Sequence, residues 1–292
     1  MKSQDDARSR AVIVTGTSSG IGRATALKLV EAGYTVFAGV RKETDRRSHE
    51  MLGIDRLIPL HPLEMNSPEQ IDDAVKEAEK VLEREGLALY AVVNNAGGGT
   101  PAPVELLPTE MMSRELDTRI TGPIRLLQRS LPLLRRGRGR IIWITTPAII
   151  PTPYVAAIHA CDFAVNCLAR TLDIELARWK IPTVMVRCGG VQTPAGLRTA
   201  SDVEQLLESA DPEGVRLYGK ALRSWAEEMV EFDKQRVPAE RVGEVVLRAL
   251  AASRPRSRYS VGHMAGLAAL LEALPQPLAD GILKRRFGGP GE

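Results

Sequence analysis

Two segments of the 292-residue chain carry residue types that could bind the phosphates of a nucleotide. The first is the glycine-rich run Thr15-Gly16-Thr17-Ser18-Ser19-Gly20-Ile21-Gly22, and the second is Asn94-Asn95-Ala96-Gly97. In such a run Gly16 allows a tight turn, Gly20 lets the backbone approach a pyrophosphate, and Gly22 lets helix and sheet pack closely. The N–H groups of Gly20 and Ile21 would begin a helix and face the phosphate oxygens. We therefore predict a phosphate site at residues 15–22.

The elements that must position this site follow from short apolar runs that alternate with helical patterns. The alternation predicts a doubly wound parallel α/β (Rossmann) sheet with helices on both faces. The predicted strands are residues 11–14, 34–39, 57–60, 89–94, 140–145, 183–187 and 258–261. The predicted helices are residues 20–32, 68–84, 109–119, 122–134, 153–179 and 238–252. Ser67 and Thr152, each followed by proline, are the expected N-caps of the second and fifth of these helices.

The chain is predicted to form a single domain, residues 1–292, with three additions to the sheet and its helices. Residues 1–10 are expected to be a flexible N-terminus. Residues 195–236, which carry helical patterns after the sixth strand, are expected to form a substrate lid, since such folds bind substrates at that end of the sheet. The tail, residues 264–292, contains an apolar stretch followed by Lys284-Arg285-Arg286. Docking of the tail on the body or on a partner subunit is favoured over a membrane surface.

Composition narrows the possible partners. The chain is 44% apolar and 26% charged with a net charge of +3, which is typical of a soluble globule and not of a nucleic-acid-binding protein. The basic run at residues 135–140 has no interleaved aromatic residue for base stacking and is predicted to be a solvated loop. The three cysteines have neither metal-ligand spacing nor the even number of a disulfide framework. The cysteine pattern therefore predicts a cytoplasmic protein without a metal. No apolar run reaches the roughly 18 residues of a membrane span, so we expect no integral membrane segment.

The glycine-rich run and the Asn94–Gly97 motif together resemble the short-chain dehydrogenase/reductase family over about residues 11–261. The resemblance is strongest to the hydroxybutyrate, retinol and hydroxysteroid dehydrogenase branch. It implies an oxidoreductase that binds a nicotinamide cofactor and a small-molecule substrate. It also implies a homo-oligomer, a dimer or a tetramer.

The choice between the two nicotinamide cofactors is read at the end of the second strand. An acidic residue there binds the ribose 2′-hydroxyl, whereas an arginine accommodates a 2′-phosphate. This chain has Arg41 and no acid before Glu43, and the Ser18 hydroxyl could add a hydrogen bond. We therefore predict NADP(H), although Arg41 could instead be a surface residue.

The resemblance implies further cofactor contacts along the chain. Glu64 stands where the family usually has an aspartate that touches the adenine amino group. Val191 and Thr193 stand where relatives hold the nicotinamide carboxamide. The implied contact residues are Gly16, Ser18, Ser19, Gly20, Ile21, Gly22, Arg41, Glu64, Met65, Asn94, Ala96, Gly97, Asp162, Val191 and Thr193.

The residues that carry catalysis in the family are replaced in this chain. Relatives use a Tyr-x-x-x-Lys pair, in which the lysine lowers the tyrosine pKa from about 10. Here Ile158 stands at the tyrosine position and Asp162 at the lysine position. Arg119 replaces an asparagine, and the substrate-binding serine corresponds to Thr145 or Thr146.

Two neighbouring side chains could supply the missing proton donor. His159 has suitable chemistry, with an ordinary pKa near 6.5, but it lies about 100° around the helix from Ile158 and could equally be structural. Tyr154 is expected one turn before Ile158 on the same helix face, where its side chain would point away, so a packing role is favoured. Cys161 has no activating partner in the sequence and is expected to be buried.

Arg119 and Asp162 reverse the charge pattern of the family. Either they form an ion pair on the pocket floor, with Asp162 accepting from the nicotinamide ribose hydroxyls, or the two replacements are independent. Three functions therefore remain open: an NADP(H)-dependent oxidoreductase with a non-standard proton donor, acting on an activated carbonyl, enone or imine; a non-redox cyclase, isomerase or dehydratase; and a catalytically silent nucleotide-binding partner protein.

Overall fold

The computed structural model describes residues 7–147 and 150–287, and a parallel sheet of seven strands runs through that part of the chain. The strands lie in the order β3-β2-β1-β4-β5-β6-β7, with the chain crossing from β3 back to β4 beside β1. The strands are β1 Arg10–Val14, β2 Thr35–Gly39, β3 Leu57–Leu60, β4 Ala88–Asn94, β5 Arg140–Thr145, β6 Thr183–Cys188 and β7 Arg258–Val261. The predicted doubly wound α/β fold is therefore confirmed.

Helices cover both faces of the sheet. They are α1 Gly20–Glu31, α2 Glu43–Glu50, α3 Pro68–Glu85, α4 Thr109–Leu116, α5 Gly122–Arg136, α6 Ala156–Glu175, α7 Pro194–Leu197, α8 Thr199–Ser209, α9 Pro212–Asp233, α10 Glu240–Ala251, α11 Ala265–Glu272 and α12 Gln276–Phe287. A π turn, Asp117–Thr121, joins α4 to α5, and short 3₁₀ turns occupy Val104–Leu106 and Ala177–Trp179. Within the described residues no helix combines the length and the apolar character needed to cross a bilayer.

The inner strands are continuous apolar runs because both faces of the sheet are buried. Alternate residues of β1 belong to opposite core layers. Ile13 packs in the layer formed with α3, α5 and α6, whereas Val12 and Val14 pack in the layer formed with α1 and α10. A third apolar cluster joins α8 and α9 to Ala102, so the predicted lid region is helical and packed on the body.

The predicted start of the fifth helix is wrong. The helix α6 begins at Ala156 rather than at residue 153, and no side chain caps it. Tyr154 adopts a left-handed backbone conformation with φ of 65°, and its carbonyl accepts a hydrogen bond from Ala102 N at 2.6 Å. This tertiary contact outweighs the Thr152-Pro153 capping signal. The helix also ends earlier, at Glu175 instead of residue 179.

Other boundaries differ in smaller ways. Helix α2 has no counterpart among the predicted elements, because its residues are mostly charged and only His49 is buried. The predicted flexible N-terminus extends too far, since Ala7 is buried and Arg10 begins β1. Residues 1–6 of that segment and residues 288–292 of the predicted tail lie outside the described residues. The rest of the tail forms α11 and α12.

Candidate active site

The glycine-rich run lies at the carboxyl end of β1, where α1 begins. Gly16 and Gly20 have φ of 70° and 55°, a region of backbone conformation that favours glycine. A Cβ on Gly22 would lie 2.1 Å from the Gly16 carbonyl oxygen, so only glycine lets α1 pack this closely. The segment therefore has the geometry that a phosphate-binding turn requires, with Ser18 and Ser19 exposed at its tip.

The motif at the end of β4 is bonded to this turn. Asn95 donates from Nδ2 to the carbonyl oxygens of Thr15 at 2.9 Å and Gly16 at 3.2 Å. The backbone N–H groups of Asn95 and Ala96 both donate to the Thr15 hydroxyl at 3.0 Å. These contacts hold the carboxyl ends of β1 and β4 side by side, and they fix the turn before any ligand binds.

The hydrogen bonding of the Asn94 side chain shows whether a dinucleotide fits this edge of the sheet. The residue is 4% exposed, and neither its amide nitrogen nor its amide oxygen has a partner among the described residues. A buried polar group without a partner costs about 1–3 kcal/mol, so a ligand that supplies partners gains that amount. Together with the glycine turn, this fits the adenosine and pyrophosphate part of a dinucleotide.

The segment after β6 reaches the same turn from the other side. A Cβ on Gly20 would lie 3.3 Å from the Thr193 methyl group. The Thr193 hydroxyl accepts a hydrogen bond from Gly196 N at 3.3 Å and so caps α7. Val191 is buried and pairs with Val237 in a short parallel bridge. Of the two residues predicted for the nicotinamide end, Thr193 therefore lies beside the phosphate turn.

The region predicted for the 2′-phosphate contains an ion pair. Arg41 is exposed at the end of β2, and its Nη1 donates to Glu64 Oε2 at 3.3 Å. The Met65 side chain is buried in the core, and a Cβ on Gly122 would lie 2.0 Å from its carbonyl oxygen. Met65 can therefore offer a ligand only backbone atoms, whereas Arg41 and Glu64 can offer side chains.

The predicted ion pair between Arg119 and Asp162 is a long contact. Arg119 Nη1 lies 3.8 Å from Asp162 Oδ1, while Arg119 Nε donates to Glu115 Oε2 at 2.7 Å and Nη2 donates to the Gly98 carbonyl oxygen at 2.5 Å. Glu115 and Asp162 are both buried. Arg119 thus binds Glu115 and the loop after β4, and Asp162 is its secondary partner. Sequence analysis missed Glu115, although its spacing of four residues from Arg119 on a helix was a usable signal.

Asp162 instead holds the end of β5. Its Oδ2 accepts a hydrogen bond from the Thr146 backbone N–H at 2.9 Å. The Thr145 hydroxyl donates to the Thr146 carbonyl oxygen at 3.2 Å. The Thr146 hydroxyl is buried and has no partner in the part of the chain that the structure describes. Of the two threonine hydroxyls, that of Thr146 is therefore the one without a hydrogen-bond partner among the described residues.

Ile158, which is predicted to stand at the position of the family's tyrosine, lies on α6. Ile158 packs against the loop after β4, because a Cβ on Gly99 would lie 2.5 Å from Ile158 Cγ1. The predicted helical position of Tyr154 is wrong, as it precedes α6 and its ring packs edge-on against Trp225 at 5.7 Å between centroids. This supports the packing role for Tyr154.

His159 and Cys161 flank Asp162 on α6. Burial lowers the pKa of His159, with Asp162 opposing and Arg119 adding to the shift, so the imidazole is neutral at pH 7. Its Nδ1 is buried without a partner among the described side chains and backbone groups. Cys161 is fully buried, as expected, and burial raises the pKa of its thiol to about 11. No cluster of described residues has the composition of a metal site.

The sheet order, the glycine turn and the unpartnered Asn94 define a dinucleotide-binding protein of the Rossmann type. The family model for the short chain dehydrogenases matches residues 10–204, and the chain belongs to that family.

Known relatives include dehydrogenases and reductases. The chain is 31% identical to estradiol 17-beta-dehydrogenase 2 of Rattus norvegicus over 294 residues, which cover 95% of this chain and 75% of that protein. It is 28% identical to the NADPH-dependent 3-dehydrocapnine reductase of Ornithobacterium rhinotracheale, over 86% of this chain and 88% of that protein.

Solved structures show the same fold. A short-chain dehydrogenase from Streptomyces avermitilis superposes with a TM-score of 0.73 at 22% identity, covering 97% of this chain and 99% of that one. A short chain dehydrogenase from Burkholderia cenocepacia, solved in complex with NADP, superposes with a TM-score of 0.70 at 20% identity, covering 95% and 98%.

Proposed function

We propose that the protein is an NADP(H)-dependent oxidoreductase that acts on an activated carbonyl, enone or imine without the tyrosine and lysine of its relatives. One observation carries the proposal: the phosphate turn is fixed beside the loop after β4, and Ile158, the predicted replacement for the proton donor, packs against that same loop. The Burkholderia cenocepacia structure in complex with NADP and the NADPH-dependent reductase of Ornithobacterium rhinotracheale both support NADP(H). The cofactor would supply the hydride, and this chain's own residues would hold the cofactor and the substrate.

Several residues would hold the cofactor. The N–H groups at the start of α1 suit the pyrophosphate, and Arg41 with Ser18 suits the 2′-phosphate. Asn94 would bind the adenosine ribose through its unpartnered amide, and Asp162 could accept from ribose hydroxyls where a lysine would donate.

Thr146 is the residue best placed to bind the substrate, because its hydroxyl has no partner in the described structure. His159 is neutral at pH 7, so it can take up a proton but is a poor donor. In a reduction the proton would therefore come from water or from the substrate itself. Such a site suits acceptors that need little acid assistance, and simple ketones should react negligibly.

Stopped-flow measurement of NADPH oxidation against a panel of carbonyls, enones and imines tests the proposed reaction. We expect turnover of activated acceptors and none of simple ketones or secondary alcohols. Thr146→Val should lower the rate on any accepted substrate, whereas the matched change Thr145→Val should have little effect. Ordinary dehydrogenase rates on simple ketones would contradict the assignment, as would tight NADPH binding with no oxidation by any acceptor.

Calorimetric titration tests the cofactor. A charged hydrogen bond contributes about 1.5–3 kcal/mol, so we expect NADPH to bind at least about tenfold more tightly than NADH. Arg41→Ala should remove most of this preference, and Lys42→Ala, the same change of charge one residue later, should retain it. Equal dissociation constants for the two cofactors in the unaltered protein would disprove the NADP(H) preference.

A further inference from the structure

A buried histidine contacts the glycine-rich turn from behind. His49 lies near the end of α2 and is 1% exposed, although the rest of that helix is mostly charged. Its Nε2 lies 3.0 Å from the hydroxyl oxygen of Thr17, which is itself fully buried in the middle of the turn. The contact joins two segments 32 residues apart in the sequence.

The direction of this hydrogen bond follows from the third partner. The Thr17 hydroxyl lies 3.2 Å from the Gly39 carbonyl oxygen, which can only accept, so the threonine proton points there. The Thr17 oxygen must then accept from His49, and His49 carries its proton on Nε2. Burial lowers the pKa of His49, the nearby Arg23 lowers it further, and the Thr17 backbone and Asp45 oppose these two effects. His49 is therefore a neutral donor at pH 7.

The contact between His49 and Thr17 joins the two segments that would bind a dinucleotide, the glycine-rich turn and the segment after β2. Thr17 N also donates to the Gly39 carbonyl at 3.0 Å, which ties the turn to the end of β2. Helix α2 begins two residues after Arg41. On the outer side of this contact, Arg23 of α1 donates to Ser48 at 3.3 Å. His49 thus fixes the turn against α2, while Ser18 and Ser19 stay exposed on the other side.

We propose that His49 is a positioning residue for the cofactor: by donating from Nε2 to Thr17, it holds the glycine-rich turn in the conformation that binds the pyrophosphate. This proposal rests on the proposed dinucleotide binding. The pyrophosphate is common to NADPH and NADH, so loss of the His49 donor should weaken both cofactors equally. Loss of Arg41, in contrast, should weaken NADPH alone.

Two substitutions of similar volume separate the hydrogen bond from mere packing. His49→Gln can place an N–H near the position of Nε2, whereas His49→Met fills the space without a donor. We expect His49→Met to raise the Kd of NADPH and NADH by roughly tenfold each, the scale of one hydrogen bond, and His49→Gln to recover most of that loss. Thr17→Val and Thr17→Ser form a second pair, with the serine variant retaining affinity. His61→Met is the control for loss of a histidine elsewhere.

Nitrogen-15 NMR of the ligand-free protein gives a readout independent of binding. We expect the His49 signals of the Nε2–H form. The Nδ1–H form would overturn the proposal, as would equal loss of affinity in His49→Gln and His49→Met, or unchanged affinity in His49→Met. Failure of the unaltered protein to bind either cofactor would overturn the proposed function, and the cofactor role of His49 with it.

Discussion

At the residue scale, the main charged cluster of the candidate site is centred on Arg119. The guanidinium lies between two buried carboxylates, with Glu115 at hydrogen-bond distance and Asp162 at 3.8 Å. Arg119 lies in the π turn and Asp162 lies on α6. Arg119 holds the loop after β4 through Gly98, whereas Asp162 holds the end of β5 through Thr146.

Arg119→Met should destabilise the fold clearly, because it leaves the buried Glu115 carboxylate without its partner. Breaking a buried ion pair typically costs about 3–5 kcal/mol, whereas an exposed pair contributes under about 1 kcal/mol. Double-mutant cycles in urea should give a larger coupling for Arg119 with Glu115 than with Asp162. Arg125→Met, at a half-exposed arginine whose partner Asp72 also binds Arg129, is the control. A larger coupling with Asp162 would show that the long contact is the dominant one.

At the element scale, the sheet could be predicted because buried parallel strands are unbroken apolar runs and seven of them recur between helical patterns. Helix α3 was predicted correctly at its start because its signal is local: Ser67 accepts from Gln70 N at 3.3 Å and proline follows. Helix α2 was missed because its single buried residue gives no apolar period. The start of α6 was misplaced because the Tyr154 carbonyl accepts a hydrogen bond from Ala102, which is far away in the sequence.

The candidate site likewise has one part that could be predicted from the sequence and another part that could not. The glycine turn is contiguous and carries its own conformational signal, so it could be located from the sequence. The Thr17–His49 contact and the choice between Thr145 and Thr146 depend on hydrogen bonds between separate elements. Sequence spacing alone does not determine such bonds, and these features emerged only from the structure.

The tail supplies a prediction at this scale. Arg187 of β6 is buried and pairs with Glu272 at the end of α11, with Asn166 accepting from the same guanidinium at 3.1 Å. Glu272→Ala leaves this buried cation with only the neutral partner, so we expect a loss of about 3–5 kcal/mol in urea denaturation and faster proteolysis of the tail. Glu228→Ala removes an exposed pair with Arg286 of α12 and should cost under about 1 kcal/mol. Equal losses in both variants would contradict the distinction.

At the scale of the whole molecule, acid should weaken the fold through two buried histidines. Burial lowers the pKa of His49 and of His159 below the value of about 6.5 expected in the unfolded chain. The unfolded state therefore binds more protons in mildly acidic solution, and stability is full above pH 6.5 and falls as the pH decreases below it. The Asp72 carboxyl, whose pKa two arginines hold at about 2, stays ionised throughout this range.

Thermal unfolding between pH 7.5 and pH 5.5 measures this effect. We expect the melting temperature to fall on acidification, and the fall to be smaller in the double variant His49→Gln with His159→Gln. A melting temperature that rises on acidification would mean that the histidines gain a partner for the charged form, the opposite of what their burial predicts.

The π turn between α4 and α5 imposes a constraint of length as well as of residue type. Each residue advances an α-helix by about 100°, so shortening Asp117–Thr121 by one residue would rotate one helix against the other by about that angle. If Glu115 and Arg119 kept their positions beside the loop after β4, the apolar face of α5 would no longer pack on the sheet. If α5 stayed in place, the two charged side chains would turn toward other partners. Single-residue deletions at this point should therefore be far less tolerated than substitutions.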